Sequence, residues 1–256
     1  SYEKERGWFP LAAEGKTCKI VVDSSDFRGV IRAGSDLRSD IERVTGISPL
    51  FSTGDISGSK YIIIAGTAGE SSLINSLIRA GKINTAEIRG RWESYIIQKV
   101  DRPFPGVKKA LVIAGSDKRG TIYGIYEISR IIGVSPWYWW ADVVPARHNS
   151  IYISPGRFIQ GEPSVKYRGI FLNDEAPALT NWVASRYGMV KPSDNPPVPP
   201  GVADYGHEFY SRIFELLLRL RGNYLWPAMW NNAFNEDDSL NASLADEYGI
   251  VMGTSH

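Results

Sequence analysis

A polar and acidic segment follows one of the predicted strands of this 256-residue chain. Residues 165–172 (VKYRGIFL) predict the strand, and Asn173, Asp174 and Glu175 come directly after it. Because side chains alternate across an extended chain, Asp174 and Glu175 are expected on opposite sides. One carboxylate can then face a site at the strand end while the other braces a loop. The structural alternative for Asp174 is a helix cap or a loop salt bridge.

Aromatic residues are concentrated around the same part of the chain. Six of the eight tryptophans lie within residues 137–140 and 182–230. Two of them, Trp226 and Trp230, lie near the end of the next predicted strand. Exposed aromatic side chains can form an apolar wall for a sugar ring, whereas an aromatic core is the simpler explanation. Carboxylates and aromatics at strand ends suit carbohydrate hydrolysis, in which two carboxyl groups flank the scissile bond.

The remaining acidic and histidine residues carry weaker signals. Residues 236–238 (EDD) have no second set of ligands at metal-binding spacing, so they are expected to be the solvated start of a helix. His207 and His256 are isolated histidines, for which a structural role is the default. We therefore predict no metal site. The single cysteine, Cys18, excludes an intrachain disulfide.

Two glycine-containing turns follow predicted strands, at residues 65–70 (AGTAGE) and 114–120 (AGSDKRG). A turn from a strand through glycine into a helix is where nucleotide phosphates bind, because helix N-terminal amides point at the anion. Neither turn matches G-x-G-x-x-G, and neither ends in the Gly-Lys-Ser/Thr of a phosphate-binding loop. A tight turn required by packing is the favoured interpretation, and a nucleotide-binding α/β module stays open as an alternative.

Charge and hydropathy exclude several classes of partner. Lys and Arg number 29 against 28 Asp and Glu, which gives a formal net charge of +1. Such a balance argues against a nucleic-acid partner and against an anionic membrane surface. No stretch approaches 18 consecutive apolar residues, and residues 1–10 (SYEKERGWFP) do not form a signal peptide.

Hydrophobic patterning predicts an α/β chain with two domains. In residues 1–160, β-branched runs at 19–22, 61–64, 95–97 and 110–113 predict strands, and apolar stripes with helical spacing lie between them. Alternating strands and helices indicate a layered α/β domain. Residues 161–256 follow the order β–α–β–α–β, which is typical of a (β/α)₈ barrel. Their length gives room for about three of the eight units, so we expect the chain to contain only the first part of a barrel.

Several long motifs resemble glycoside hydrolase family 115. They are residues 116–127 (SDKRGTIYGIYE) with the run 137–142 (WYWWAD), 167–179 (YRGIFLNDEAPAL), 223–230 (NYLWPAMW) and 248–256 (YGIVMGTSH). The resemblance covers nearly the whole chain. The members of this family are xylan α-1,2-glucuronidases, which release glucuronic acid or its 4-O-methyl ether. The resemblance implies an N-terminal α/β domain on a catalytic (β/α)₈ barrel, an inverting mechanism, no cofactor and secretion.

The same resemblance assigns roles to individual residues. It implies that Asn173 and Asp174 line the sugar pocket, that Trp226 packs on the sugar and that His256 lies at the pocket edge, and Asp174 is the candidate catalytic residue. Glu175 and Trp230 are added as substrate-binding candidates because of their chemistry at the strand ends. The stronger carboxylate candidates of the family lie on later strands, beyond His256, so the chain is expected to be the N-terminal part of an enzyme and inactive alone.

The resemblance also implies partners for the chain. They are glucuronoxylan or its oligosaccharides, the remainder of the same enzyme and a second copy in a homodimer. Lys118 and Arg119 are candidates for the substrate carboxylate, with a role in the turn as the alternative. Residues 241–243 (NAS) form a glycosylation sequon. A carbohydrate-binding α/β protein without catalysis is the second alternative function.

Overall fold

A computed structural model describes residues 1–190, 193–194, 197–198 and 201–253. The chain divides into two compact units, residues 1–166 (unit 1) and 167–256 (unit 2). Both units mix helices and strands, so the chain is of the α/β class. No helix in the described part of the chain is long and apolar enough to cross a membrane.

Unit 1 contains nine strands and three helices among its described residues. The strands are β1 (Phe9–Ala13), β2 (Lys16–Thr17), β3 (Lys19–Val22), β4 (Phe51–Thr53), β5 (Tyr61–Thr67), β6 (Tyr95–Asp101), β7 (Lys109–Gly115), β8 (Ile151–Ile153) and β9 (Arg157–Gln160). The helices are α1 (Arg28–Thr45), α2 (Ser72–Arg79) and α3 (Lys118–Ile131). All four strands predicted for this region are confirmed, and β5, β6 and β7 are longer than predicted.

The main sheet of unit 1 has six strands in the order β4-β3-β5-β7-β6-β9. Strands β3, β4, β5 and β7 are parallel, whereas β6 and β9 run antiparallel to their neighbours. Strands β3, β5 and β7 are almost entirely buried, as expected for parallel strands with both faces covered. A second, three-stranded sheet has the order β2-β1-β8.

The predicted apolar stripes of unit 1 form the faces that α1, α2 and α3 bury. Leu37, Ile41 and Val44 are buried on α1, and Ile74 and Leu77 are buried on α2. Helix α1 ends where Gly46 takes a positive φ of 77° and donates its amide to the Glu42 carbonyl. These helices therefore cover the sheet through the residues that the periodicity indicates.

Unit 2 contains a parallel sheet and four helices among its described residues. Its strands are β10 (Gly169–Phe171), β11 (Ser193–Asp194), β12 (Pro197–Val198), β13 (Tyr224–Trp226) and β14 (Val251–Met252). Its helices are α4 (Leu179–Tyr187), α5 (His207–Arg219), α6 (Phe234–Asp237) and α7 (Leu240–Tyr248). The parallel sheet has the order β10-β13-β14, which follows their order along the chain, and the separate antiparallel pair β11-β12 lies between β10 and β13 in the sequence.

Aromatic packing holds α5 inside unit 2. Phe209 contacts Tyr205 edge to face with ring centroids 5.0 Å apart, and Phe214 contacts Tyr248 at 5.6 Å. Tyr210 packs against Phe234 at 4.7 Å. These phenylalanine and tyrosine side chains are therefore core residues, whereas Trp182 and Trp230 are exposed and Trp226 is half-buried, so the aromatic core does not account for the clustered tryptophans.

Three sequence-based expectations for unit 2 need correction. The strand predicted at 165–172 is limited to Gly169–Phe171, because only these residues pair with β13. Helices α4 and α6 interrupt the predicted β–α–β–α–β order. Asn241 of the sequon is 0% exposed and its amide donates to the Phe234 carbonyl at 2.9 Å, so it is inaccessible to glycosylation in the folded unit.

Candidate functional site

A pocket of about 500 Å³ lies in unit 2, next to the carboxyl ends of β10 and β13. Its walls come from the segments that follow these strands, from helix α4 and from the chain before α5. The lining residues are Asp174, Glu175, Ala176, Thr180, Gly201, Val202, Ala203, Trp230, Asn231 and Asn232. Ligands of α/β proteins bind at this edge of a parallel sheet, since loops from several strands converge there.

Asp174 is a buried carboxylate at the wall of this pocket. Asp174 is only 1% exposed. The Oδ2 atom accepts hydrogen bonds from the backbone amides of Met229 and Trp230, at 3.0 and 2.9 Å. The Oδ1 atom is buried and accepts no hydrogen bond from any described residue. A buried carboxylate oxygen without a partner is costly, so Oδ1 is a polar atom whose hydrogen bonding the described residues leave incomplete.

Alternation after β10 explains why Asp174 points inward and its neighbours do not. Leu172 and Asp174 are buried, whereas Asn173 and Glu175 are exposed. The Asn173 side chain accepts a hydrogen bond from the Glu175 amide at 3.4 Å. Thr180 donates its hydroxyl to the Asp174 carbonyl. These local bonds fix the turn that leads into α4 and hold Asp174 in its position.

A second wall of the pocket, hydrogen-bonded to Asp174, is the segment that follows β13. Trp230 is 57% exposed, and its amide is one of the two that bind Asp174. Asn231 has a positive φ of 58°, a conformation that asparagine tolerates better than most residues. Asn232 donates its side-chain amide to the Ala203 carbonyl at 3.3 Å. This bond joins the segment after β13 to the segment before α5 and closes one side of the pocket.

Two buried tyrosines support the pocket from behind. The Tyr210 hydroxyl accepts the Ala228 amide at 3.3 Å, and the Tyr205 hydroxyl lies 3.2 Å from the Thr180 hydroxyl. Burial raises the pKa of both phenols. Both are therefore neutral at ordinary pH and act as hydrogen-bonding supports rather than as charges.

The acidic and histidine candidates around α5 form a capping cluster. Asp238 accepts hydrogen bonds from the His207 amide at 2.9 Å and from its Nδ1 at 2.6 Å. Burial opposes ionisation of Asp238, yet these bonds hold its pKa below the usual value. Burial and the nearby Asp238 charge raise the pKa of Asp204. Within the described part of the chain, no group of three His, Cys, Asp or Glu side chains is placed to hold a metal ion.

The glycine-containing turns of unit 1 are tight for steric reasons. A Cβ on Gly115 would overlap the backbone of Thr121 at the start of α3, and one on Gly66 would overlap the Ser71 side chain. The helix N-termini that a phosphate would need carry protein carboxylates: Asp117 accepts the Gly120 amide at 2.7 Å, and Asp23 accepts the Leu73 amide at 3.0 Å. This arrangement favours the structural interpretation of both turns over a nucleotide site.

Comparisons with known proteins identify the family of the chain. The profile described as glycosyl hydrolase family 115 matches residues 160–256, which include every residue of the pocket. The chain is also 35% identical to a solved family GH115 4-O-methyl-α-glucuronidase with specificity for decorated arabinogalactans, with a TM-score of 0.76 over 97% of this chain. The chain belongs to glycosyl hydrolase family 115. It spans 30% of the length of that solved relative.

More distant structures share the fold of this family 115 chain. A Streptomyces plicatus N-acetyl-β-hexosaminidase matches 97% of the chain and 43% of its own length, with a TM-score of 0.52 and 12% identity. A Flavobacterium johnsoniae chitobiase matches 98% of the chain and 32% of its own length, with a TM-score of 0.50 and 12% identity. At this identity the likeness concerns the fold alone. Comparison with curated proteins found no match.

Only some of the predicted site residues lie at the pocket. Asp174, Glu175 and Trp230 line the pocket together, whereas Asn173 and Trp226 do not line it. Trp226 packs edge to face on Phe171 at 5.4 Å, and its buried Nε1 has no hydrogen-bond partner among the described residues. His256 lies outside the described residues.

The two basic residues predicted as candidates for binding the substrate carboxylate have other contacts in the structure. Arg119 forms a 2.6 Å ion pair with Glu93, and Lys118 lies over the Phe27 ring at 5.4 Å. Both lie in unit 1, and their contacts support the alternative of a role in the turn.

Three polar lining residues had no signal in the sequence analysis, besides four apolar or glycine ones. Thr180 lies on the unpredicted helix α4, and Asn231 and Asn232 follow a strand without being charged or aromatic. The Asn-Asn pair directly after Trp230 was the available clue, since asparagine combines hydrogen bonding with tolerance of positive φ.

Proposed function

We propose that this family 115 chain carries part of the active site of a glycoside hydrolase that removes glucuronic acid or 4-O-methylglucuronic acid from glycan side chains. The observation that carries the proposal is the buried, unpartnered Oδ1 of Asp174 at the wall of the unit 2 pocket. Family membership and the α-glucuronidase activity of the 35% identical relative support this class of substrate.

In this proposal Asp174 acts on the sugar or the attacking water through Oδ1, which is buried in the structure and must be uncovered by a shift of the surrounding segments when the substrate binds. Its Oδ2 is already occupied by the Met229 and Trp230 amides, which fix the orientation of the carboxylate. Trp230 supplies an exposed aromatic face beside it, and Glu175 lines the rim. Aromatic faces and hydrogen-bonding side chains are the usual means of holding a sugar ring.

We further propose that unit 2 is the first part of a (β/α)₈ barrel. Its three parallel strands lie side by side in the order in which they occur along the chain, β10-β13-β14, with helices between them, as in the wall of such a barrel. A barrel has eight strands, so the proposal assigns activity to a polypeptide in which the barrel is complete. The remaining strands then supply further parts of the site, including a second carboxylate. Residues 1–160 are the proposed accompanying domain.

The proposed mechanism is inversion. It needs one carboxylic acid to protonate the leaving oxygen and one carboxylate to activate water, with the two carboxyl groups about 6.5–9.5 Å apart. Asp174 and Glu175 follow one another in the chain, and only Asp174 is buried at the pocket wall. The second catalytic carboxylate is therefore proposed to come from the rest of the barrel.

The preferred glycan is proposed to be xylan carrying α-1,2-linked (4-O-methyl)glucuronic acid. The solved relative is instead specific for decorated arabinogalactans, so the substrate assay must include both glycans. In the described residues, the pocket walls carry two acidic side chains and no basic one. The substrate carboxylate is therefore proposed to face a cation supplied outside these walls. Secretion is proposed because the substrate is an extracellular polysaccharide.

The test measures release of glucuronic acid and its 4-O-methyl ether from glucuronoxylan and from decorated arabinogalactan by the complete enzyme. We expect release from glucuronoxylan, and loss of that release in Asp174→Asn. The matched control is Glu208→Gln, which changes an exposed acidic residue of α5 that does not line the pocket. Release from neither glycan, or unchanged release in Asp174→Asn, would contradict the proposal.

A further inference from the structure

A second pocket, of about 350 Å³, lies in unit 1 next to the carboxyl ends of β5 and β7. It is formed by the turn after β5, helix α2, the turn at 85–90 and the first residue after β7. The lining residues are Ala68, Gly69, Asn75, Ile78, Thr85, Ile88, Arg89, Gly90 and Ser116. This volume falls in the lower part of the range of small-molecule sites, about 300–1,000 Å³.

The walls of this second pocket are fixed by hydrogen bonds within the protein. Asn75 accepts the Gly69 amide at 2.9 Å and donates to the Gly69 carbonyl at 3.1 Å. The Thr85 carbonyl accepts the amides of Ile88 and Arg89, both at 3.1 Å. The Ser116 hydroxyl donates to the Ser94 carbonyl and accepts the Ser94 amide, both at 3.0 Å. The pocket walls are therefore already ordered before a ligand enters, which lowers the entropic cost of binding.

The pocket combines an apolar wall with one cation. Ile88 is fully buried and Ile78 is half-buried, and both side chains are purely hydrocarbon. Arg89 is the charged residue of the described lining, and it forms no ion pair or hydrogen bond through its side chain with the described part of the chain. The nearest acidic residue along the turn, Glu87, is paired with Arg157 at 2.7 Å. Arg89 is therefore available to an anion from outside.

We propose that this second pocket binds a small carboxylate with an apolar ring face, of the hexuronate class. A guanidinium pairs with a carboxylate through two parallel hydrogen bonds, and the hydrocarbon face of a pyranose ring suits the half-buried Ile78 side chain. A phosphate fits less well, because the neighbouring N-terminus of α2 is already capped by Ser71 and Asp23. The proposal is independent of catalysis in unit 2.

The experiment titrates the 256-residue chain with glucuronate and, separately, with glucose, and follows backbone amide signals by NMR. Glucuronate is expected to shift the amides of Gly69, Arg89 and Gly90, and glucose to shift them far less. Arg89→Gln is expected to weaken glucuronate binding at these amides by about tenfold. The matched control is Arg79→Gln, which changes an exposed arginine of α2 outside the pocket and should leave the affinity unchanged.

Two results would overturn the proposal. One is equal binding of glucose and glucuronate at these amides, and the other is an affinity in Arg89→Gln equal to that in Arg79→Gln. Binding of glucuronate in the unit 2 pocket is reported separately, by the amides of Met229 and Trp230. The proposed catalytic function is read from turnover by the complete enzyme, which Arg89→Gln should leave unchanged, so the two proposals can fail independently.

Discussion

Both units place an aspartate after a parallel strand, and they use it differently. In unit 1, Asp23 follows β3, and both of its oxygens accept hydrogen bonds: Oδ1 from Ser25, and Oδ2 from the Ser72 hydroxyl and the Leu73 amide. In unit 2, Asp174 follows β10, and its Oδ1 accepts none from the described residues. The difference separates a carboxylate whose hydrogen bonding is complete within the fold from one with an oxygen that the described residues leave unpartnered.

The comparison extends to the glycine turns of unit 1. Asp117 binds the Gly120 amide through Oδ1 and the Glu93 amide through Oδ2, both at 2.7 Å. The carboxyl ends of the parallel strands therefore look alike in sequence in the two units, since acidic residues follow apolar strands in each. The two units differ in whether the hydrogen bonding of the carboxylate is complete, and the role proposed for Asp174 rests on this difference.

The largest expected effect is at Asp174. In Asp174→Asn, one carbonyl oxygen can still accept the amides of Met229 and Trp230, but an NH₂ donor replaces Oδ1. We expect turnover by the complete enzyme to fall by about a thousandfold, with the melting temperature nearly unchanged. Asp174→Ala should lose activity and also about 1–3 kcal/mol of unfolding free energy, since two buried amides lose their acceptor. Equal melting temperatures for the two variants would show that Oδ2 does not support the fold.

The next effect is in the turn at Gly115. A Cβ there would overlap the Thr121 backbone, so Gly115→Ala should lower the free energy of unfolding of the chain by about 3 kcal/mol. Gly161→Ala is the matched control, because a Cβ on Gly161 meets nothing within 4 Å. Chemical denaturation measures both. If the two variants are equally stable, the steric explanation of the turn is wrong.

A smaller effect is expected at Asp23, with a defined pH dependence. Although burial opposes ionisation, hydrogen bonds from Ser72, Ser25 and Leu73 lower the pKa of Asp23 to about 2. The folded pKa is below the unfolded value of about 4, so its contribution is present above pH 4 and is lost as the pH falls towards 2. Asp23→Ala should cost about 1–3 kcal/mol at pH 7.

Denaturation of wild type and Asp23→Ala across this range checks the pH dependence. The difference between the two unfolding free energies should be constant from pH 7 to pH 5 and should shrink below pH 4. A difference that does not change with pH would show that the charge of Asp23 does not stabilise unit 1.

The smallest expected effect concerns nucleotides, which should leave the stability of the chain unchanged. Because Asp23 and Asp117 already occupy the helix N-termini of unit 1, addition of ATP or NAD should not change the melting temperature of the chain. Differential scanning fluorimetry checks this. A rise in melting temperature that grows with nucleotide concentration would restore the nucleotide-binding alternative and remove the contrast between the two units.

The sequence predicts the elements that are apolar throughout and misses those fixed by tertiary contacts. Strands β3, β5 and β7 are continuous β-branched runs, so they are predicted near their observed positions. Helix α4 buries only Val183 among its nine residues, so it carries no apolar stripe. The strand at 165–172 is predicted too long, because pairing with β13 rather than propensity sets its ends.

The candidate site is also predictable only in part, because tertiary contacts fix some of its residues. Asp174 and Trp230 are indicated by their chemistry at strand ends. The contribution of Ala203 and Asn232 depends on a hydrogen bond between two segments about 30 residues apart in the chain, which no local pattern encodes. The sequence also cannot show that Oδ2 of Asp174 is occupied and Oδ1 is not, since this follows from where the Met229 and Trp230 amides lie.

The most direct measurement is a crystal structure of the complete enzyme with (4-O-methyl)glucuronic acid bound. We predict a sugar hydroxyl or an ordered water about 2.5–3.2 Å from Asp174 Oδ1, with the sugar ring beside Trp230 and the two amide bonds to Oδ2 kept. A sugar bound elsewhere, or an Asp174 Oδ1 bonded to the protein's own chain, would contradict the distinction between the two units.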